Sequence, residues 1–256
     1  MDSLSRQNPL LKQIRRAVSR GTLTEDGYAV AEGPHLLAEA RRAGCEVLAV
    51  IVRESDAEEF ALELPAARGV SDIIFRELAS TETPQGVIAL VRPPAWTIEQ
   101  MTMGQAAGEP ALIVVLDGVQ DPGNAGAILR AADAFGATGA VFLKGTVNPY
   151  NPKCLRGSAG SVFRLPLLAA VDPEQFWERA PACLYAAMPR APKLVSEVDL
   201  AAPCAIVIGS EARGVSAEAA ARATGVRIPT SGVESLNAAV AAGILLYEAR
   251  RQRGGS

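Results

Sequence analysis

Six consecutive apolar residues, Ala111 to Leu116, run straight into Asp117-Gly118-Val119-Gln120-Asp121-Pro122-Gly123-Asn124-Ala125-Gly126 and then into a helical stretch, Ala127 to Phe135. A strand without polar alternation has both faces covered, which is the situation of a strand inside a parallel sheet. Strand, glycine-bearing loop and helix form the repeating unit of an open α/β sheet, and such sheets bind ligands at the carboxyl ends of their strands. Further apolar strands are expected at Ala140 to Leu143, Leu184 to Ala187 and Ala205 to Ile208, with a final helix from about Ser235 to Arg251. The pattern predicts a mainly parallel sheet with helices on both faces.

The preceding residues also alternate between strand and helix. Asn8-Pro9 reads as an N-cap with proline at the first helical position, opening a helix to about Ser19. A strand at Tyr28 to Ala31, a helix from Pro34 to Ala43 and a strand at Val47 to Val52 follow. Glu54 to Glu63, with five acidic residues and no basic one, is expected to be the solvated face of another helix. Past the apolar stretch Val70 to Phe75, Thr83-Pro84-Gln85-Gly86 turns into a strand at Val87 to Val91. The proline- and glycine-bearing stretch beyond it reads as a linker. The expected organisation is therefore an N-terminal domain over 1–95, a linker over 96–110 and a C-terminal domain over 111–256.

Composition narrows the chemistry. With 25 Lys+Arg against 28 Asp+Glu and 49% apolar residues, the chain is neither a disordered tail nor a polycation. Cys45, Cys154, Cys183 and Cys204 form no CxxC pair, which excludes the usual structural zinc and dithiol redox motifs. No apolar run reaches the roughly 18 to 20 residues of a membrane span. We expect a cytoplasmic protein with reduced thiols, no metal and no membrane partner. The one histidine, His35, lies in the first turn of a predicted helix, and no GxSxG occurs, so a Ser-His-Asp hydrolase is disfavoured.

The glycine loop fails both common phosphate fingerprints. Gly118 and Gly123 have the spacing of a P-loop, but Asn124 and Ala125 stand where its Lys and Ser/Thr belong. Gly118, Gly123 and Gly126 do not have GxGxxG spacing either, which leaves a nucleotide-dependent oxidoreductase without its signature. A plain turn explains the glycines but not Asn124 and Arg130, polar residues bracketing a helix of Ala, Ile and Leu. Two more polar stretches end apolar segments: Gly209-Ser210-Glu211-Ala212-Arg213-Gly214, and Ile228-Pro229-Thr230-Ser231-Gly232-Val233-Glu234-Ser235-Leu236-Asn237. Taken singly, Ser235 is an N-cap and Glu211 a surface turn residue; taken together, three such loops predict one crevice.

These three stretches resemble the three motifs of the SpoU-type (TrmH-like) RNA 2'-O-ribose methyltransferases of the knotted SPOUT superfamily. Asn124-x-Gly126 followed by Arg130, Gly209-Ser210-Glu211-x-x-Gly214, and Ile228-Pro229 ending in Ser235-Leu236-Asn237 occur in the family's order. Thr230, Ala212 and Ala238-Ala239 depart from its commonest residues. The first 90 or so residues, with Glu32-Gly33 and Pro84-Gln85-Gly86-Val87 as landmarks, resemble the small ribosomal-protein-like substrate-binding domain that many members carry.

The resemblance implies a C-terminal trefoil-knotted parallel-sheet domain that uses S-adenosyl-L-methionine, with Gly209, Ile228 and Leu236 as cofactor contacts and Met188 as a candidate adenine wall. It implies Arg130, Asn124, Glu211, Ser235 and Asn237 as catalytic residues. The family often assigns its Arg as general base, but a guanidinium holds its proton, so an electrostatic role beside the ribose alkoxide or an RNA phosphate is expected. Asn124 would orient Arg130 or the ribose, and Glu211 would anchor Arg130 or Asn237.

RNA, ribosomal rather than transfer RNA, is the implied substrate. Residues 1 to 20 hold Arg6, Lys12, Arg15, Arg16 and Arg20 against Asp2, and Lys144 to Arg164 adds Lys144, Lys153, Arg156 and Arg164 without an acid. Arg15, Arg16, Lys153 and Arg156 are expected to meet phosphates. In the last helix Leu236, Val240, Ile244 and Tyr247 form an apolar stripe beside small residues, and the family implies a homodimer. The alternative is a non-catalytic RNA-binding or ribosome-assembly protein on the same scaffold.

Overall fold

The computed structural model describes residues 3–64, 66–102 and 110–254. The chain divides into two compact units, one holding residues through Pro94 together with Tyr150–Phe163, the other holding Ala95–Pro149 and the chain from Arg164 onward. Part of the expected linker, residues 103–109, lies outside the described residues. Before it, the helix Ile98–Thr102 buries Ile98 and Met101 in the second unit's core.

In the first unit β1 (Ala29–Glu32), β2 (Glu46–Arg53), β3 (Arg68–Val70) and β4 (Val87–Arg92) form a sheet of order β1-β4-β2-β3. β4 is antiparallel to β1 and β2, and β3 is parallel to β2. The helix Pro9–Arg20 starts as its sequence dictates, with the Asn8 side chain accepting from Leu10 N, and ends on Gly21 in the left-handed conformation. It buries Leu11, Ile14 and Ala17 against Val30, Ile51, Ile88 and Leu90. The helix Pro34–Arg42 packs on β1, β2 and β4, and none of its residues joins that cluster.

The acidic run does not form the expected helix. It makes a 3-10 turn, Glu54–Asp56, and one α-turn, Ala57–Phe60. Glu54 and Glu58, and again Glu59 and Glu63, are like charges four residues apart, which opposes helix propagation, and Leu62 is left 96% exposed.

The segment Tyr150–Phe163 is fastened to the first unit by polar contacts. Glu32, buried at the end of β1, accepts from Ser80 N at 2.8 Å and from the Thr81 hydroxyl. The Arg156 guanidinium stands 3.8 Å from Glu32 and donates to the Ser80 hydroxyl.

The second unit is a parallel sheet of β5 (Leu112–Asp117), β6 (Gly139–Leu143), β7 (Leu167–Val171), β8 (Cys183–Ala187), β9 (Lys193–Leu194), β10 (Cys204–Gly209) and β11 (Thr224–Arg227). Its order is β7-β6-β5-β10-β8-β11-β9, with every pairing parallel. The chain builds outward from β5 through β6 to β7, then crosses to β5's other side. β5 and β10 are thus neighbours at the switch point, where open α/β sheets bind ligands.

Strands β7, β9 and β11 escape the sequence pattern for local reasons. β7 is an edge strand with Ala169 and Ala170 exposed, β9 has two residues, and β11 carries Gly225. Two helices begin elsewhere than expected. Pro122–Ala134 starts five residues before Ala127, capped by Asp121, which accepts from Asn124 N at 2.7 Å. Its glycines, Gly123 and Gly126, hid a helical turn from the sequence pattern, and Gly126 is buried within it. The last helix, Ala238–Gln252, is capped by Asn237, not Ser235.

All four cysteines are free, and burial pushes the Cys154 and Cys204 thiols up to about 12 and about 11, leaving both protonated at neutral pH. Among the described residues no helix is long and apolar enough to cross a membrane, and no group of His, Cys, Asp and Glu is disposed to hold a metal.

Candidate active site

At the carboxyl ends of β8, β10 and β11 the second unit opens a cavity of about 310 Å³. One side is apolar, from Ala187, Met188, Ile208, Val226, Ile228 and Leu236; the rim is polar and charged, from Ser210, Glu211, Arg213, Thr230, Glu234 and Ser235. Gly209, Ile228, Leu236 and Met188, the residues expected to hold the cofactor, all line it, as do Glu211 and Ser235.

Gly209 is where backbone must approach backbone, since a Cβ there would overlap the main chain of Gly214 and Val215. The loop that folds back over it is closed by two main-chain bonds between Ser210 and Gly214, at 3.0 and 2.9 Å. Gly214 supplies the positive φ of 70° that this turn requires. From β5, the Asp117 carboxylate accepts from Ser216 N at 2.6 Å and fixes the far end of the loop. Thr146 does the same for the turn after β5, accepting from Gly118 N at 3.0 Å and donating to Leu116 O at 2.8 Å.

The three polar stretches meet at this edge. Asn124 Nδ2 donates to Glu211 Oε1 at 2.6 Å, and Asn237 Nδ2 donates to Asn124 Oδ1 at 3.0 Å. Asn237 Oδ1 accepts from Ala239 N and Val240 N, so one side chain both caps the last helix and holds Asn124. Side-chain amides are therefore locked in one orientation by an ionised acceptor at one end and a helix N-terminus at the other.

Arg130 stands apart. It lies on the same helix as Asn124 but six residues on, about 9 Å along the axis and roughly 120° around it. It is exposed and makes no hydrogen bond or ion pair among the described residues. The expectations that Asn124 orients Arg130 and that Glu211 anchors it are both corrected: Asn124 and Glu211 bond each other. Nor does Glu211 reach Asn237 directly, because Asn124 intervenes.

The basic residues separate by partner. Arg15 donates to Glu77 at 3.2 Å and to the Arg6 carbonyl. Arg16 is exposed and meets Glu25 at 3.1 Å, Lys153 is exposed, and Arg156 faces Glu32. Lys144 and Arg164 are paired with Asp172 and Asp133.

Sequence reading missed Arg213, Thr230, Glu234 and Val226 as lining residues. The first three stood inside the stretches it singled out, whereas Val226 carries no signal outside the strand that places it.

A parallel α/β sheet that opens a partly apolar, partly charged cavity at the carboxyl ends of β8, β10 and β11, beside locked polar side chains, has the form of a ligand-binding enzyme domain. Residues 111–247 match the model of the SpoU rRNA Methylase family, and residues 8–89 match that of the MRM3-like substrate binding domain. The chain belongs to the SpoU rRNA methylase family. An uncharacterized tRNA/rRNA methyltransferase of Synechocystis sp. is 35% identical over 97% of this chain and 93% of its own length. The 23S rRNA (guanosine(2553)-2'-O)-methyltransferase RlmP of Bacillus subtilis is 29% identical over 96% and 98%. The crystal structure of the SpoU methyltransferase AviRb from Streptomyces viridochromogenes in complex with AdoMet superposes with a TM-score of 0.84, at 29% identity, over 98% of this chain and all of that one.

Proposed function

We propose that the protein is a cytoplasmic enzyme that methylates a ribose 2'-hydroxyl of ribosomal RNA at the expense of S-adenosyl-L-methionine, with a C-terminal stretch threaded as the family's trefoil knot. The observation that carries this reading is the cavity itself, where the four expected cofactor residues line one pocket and Glu211 links its rim to Asn124 and Asn237. The cofactor fits these walls. A planar adenine suits the apolar side formed by Met188, Ile208, Ile228 and Leu236, while the zwitterionic amino-acid end suits a rim bearing both Arg213 and Glu234. When bound, S-adenosylmethionine supplies a methyl group activated on sulfur.

The chain's own residues have three tasks. Gly209 lets the backbone approach the ligand, and Ile228 and Leu236 keep water from one side of it. Asn124 and Asn237, held rigid, present amide groups that fix the ribose so that its oxygen lies in line with the methyl carbon. Arg130 would place a cation beside the oxygen as its proton passes to solvent water, which favours the alkoxide.

Arg130 performs this task in the second copy of a homodimer. Its distance from the amide network of its own chain, its lack of partners and the exposed apolar stripe on the adjoining helix all support that arrangement. Val240, Ile244 and Tyr247, expected as a packing stripe, are 50%, 36% and 56% exposed, while Ala238, Ala242, Leu245, Leu246 and Ala249 face the core. Tyr247 packs edge-on against Phe135 at the end of Arg130's helix, at 5.8 Å.

The test is labelled S-adenosylmethionine with unmodified ribosomal and transfer RNA transcripts, followed by digestion and mass spectrometry for a 2'-O-methyl nucleotide. Wild-type protein is expected to label ribosomal RNA, and Arg130→Ala to lose about 10² to 10³ in rate with cofactor affinity unchanged. Mixing Arg130→Ala with a cofactor-site variant, each inactive alone, should restore part of the activity in heterodimers. A protein showing neither cofactor binding nor any labelled RNA would return the choice to the non-catalytic RNA-binding reading.

A further inference from the structure

The helix Pro9–Arg20 carries its basic residues on two sides with different fates. Arg15 and Arg6 converge on Glu77, at 3.2 and 2.6 Å, and share its one negative charge. Lys12, Arg16 and Arg20 recur every fourth residue on the exposed side, each step rising about 6 Å, close to the spacing of successive phosphates along a nucleic-acid strand. The Lys12 and Arg20 side chains make no hydrogen bond or ion pair among the described residues. Arg16 meets Glu25, both side chains being more than 60% exposed (62% and 64%), a pair that water and salt weaken.

The end of this helix leads to a further cation. Gly21 has the left-handed φ of 64° and lies against the Asn151 side chain, whose amide nitrogen would be 2.6 Å from any Cβ placed there. Asn151 caps the helix Pro152–Ser158, whose second residue is the exposed Lys153. The segments that carry these basic residues, far apart in the chain, thus adjoin within one unit at Gly21 and Asn151.

Resting on the RNA reading above, we infer that Lys12, Arg16 and Arg20, continued by Lys153, form a track on the first unit that carries the phosphates of one strand of the substrate RNA. Arg15 and Arg156 lie off this track because each is the more sheltered side chain, 27% and 33% exposed, turned toward a carboxylate of its own unit. Glu25 competes with phosphate for Arg16, so its charge opposes binding.

The experiment measures binding of labelled, unmodified 23S rRNA transcript to the full-length protein over a series of KCl concentrations. Lys12→Ala/Arg20→Ala removes two exposed charges from a helix in which alanine is favourable, so folding should be retained, checked by circular dichroism. Its salt slope should fall by about 1.4 to 1.8 relative to wild type. Arg41→Ala/Arg179→Ala removes the same net charge elsewhere and should leave the slope unchanged. Glu25→Gln should tighten binding several-fold, which loss of a structural contact would not do. Equal losses in both double variants mean non-specific attraction and overturn the track. No loss in either, with wild-type protein still methylating the transcript, overturns the track and spares the proposed activity. Wild-type protein that neither binds nor methylates any RNA overturns both.

Discussion

The two loops that wall the cavity are built on opposite plans. Residues 209–216 are closed by the Ser210 to Gly214 ladder, anchored by Asp117, and threaded so tightly past Gly209 that no side chain fits. Residues 228–237 run mostly exposed, with one internal bond, Thr230 Oγ1 to Val233 O at 3.0 Å, and one exposed ion pair, Arg190 with Glu234 at 3.8 Å. The first wall is finished by the protein alone, whereas the second has few internal bonds and is left for the ligand to order. Such a division gives a preformed cradle on one side and a surface able to follow its ligand on the other.

This contrast can be broken or sharpened by substitution. Gly209→Ala should have the largest effect, since its Cβ meets backbone that cannot yield: about 1 to 3 kcal/mol of stability and most of the S-adenosylmethionine affinity, measured by thermal unfolding and calorimetry. Unchanged cofactor affinity in that variant would show that the closed wall is not where the ligand binds. Asn237 comes next, as the hinge between the open wall and the last helix. Asn237→Ala should lose about 1 kcal/mol of cap stability together with activity, whereas Asn237→Asp keeps the cap, loses the bond to Asn124, and should lower the methylation rate with little change in melting temperature.

Gly232 on the open wall has a φ of 81° with nothing near a Cβ, so Gly232→Ala should cost about 1 kcal/mol or less and leave cofactor affinity within twofold. A loss as great as at Gly209 would mean that the open wall is also preformed. Arg190→Ala should have the smallest effect, an affinity change within a few tenths of a kcal/mol that vanishes at high salt.

A pH profile adds an internal control at the other end of the last helix. Hydrogen bonds from Arg251, then Gln252, hold the Glu248 carboxyl well below the usual range, at about 2. A depressed carboxyl stabilises the fold above the ordinary carboxylate range and loses that contribution as pH falls toward 2. Glu248→Gln should therefore flatten acid unfolding between about pH 4.5 and 2, followed by circular dichroism, without altering the cavity.

What the sequence disclosed follows the physics of its segments. The strands β5, β6, β8 and β10 were legible because an unbroken apolar run of strand length is stable only with both faces covered; β9, with two residues, and β11, Thr224-Gly225-Val226-Arg227, carry no such run, whereas β7 escaped although Leu167–Val171 is apolar throughout. The helix at Pro122 was placed too late because glycine argues against helix locally, while the Asp121 cap on Asn124 N and the proline at the first position start it earlier. Asn124, Glu211 and Asn237 could be named as site residues from their places at strand ends. Their mutual bonding could not, since which amide meets which carboxylate depends on rotamers and on a helix start three residues from where it was expected. Arg130 could be singled out as a polar residue on an apolar helix, but its separation from its own chain's network could not.

The excursion of Tyr150–Phe163 into the first unit bears on how such a molecule can be cut and recombined. The two units are joined by three crossings of the backbone, so no single break separates them. A fragment ending at Pro94 would lack Cys154, Leu155, Val162 and Phe163, all buried, and a fragment beginning at Ala95 would carry these residues with no cover. Exchange of the first unit between relatives at one joint should thus yield insoluble chimeras, and workable ones would have to carry the fourteen-residue insert along with the unit it serves.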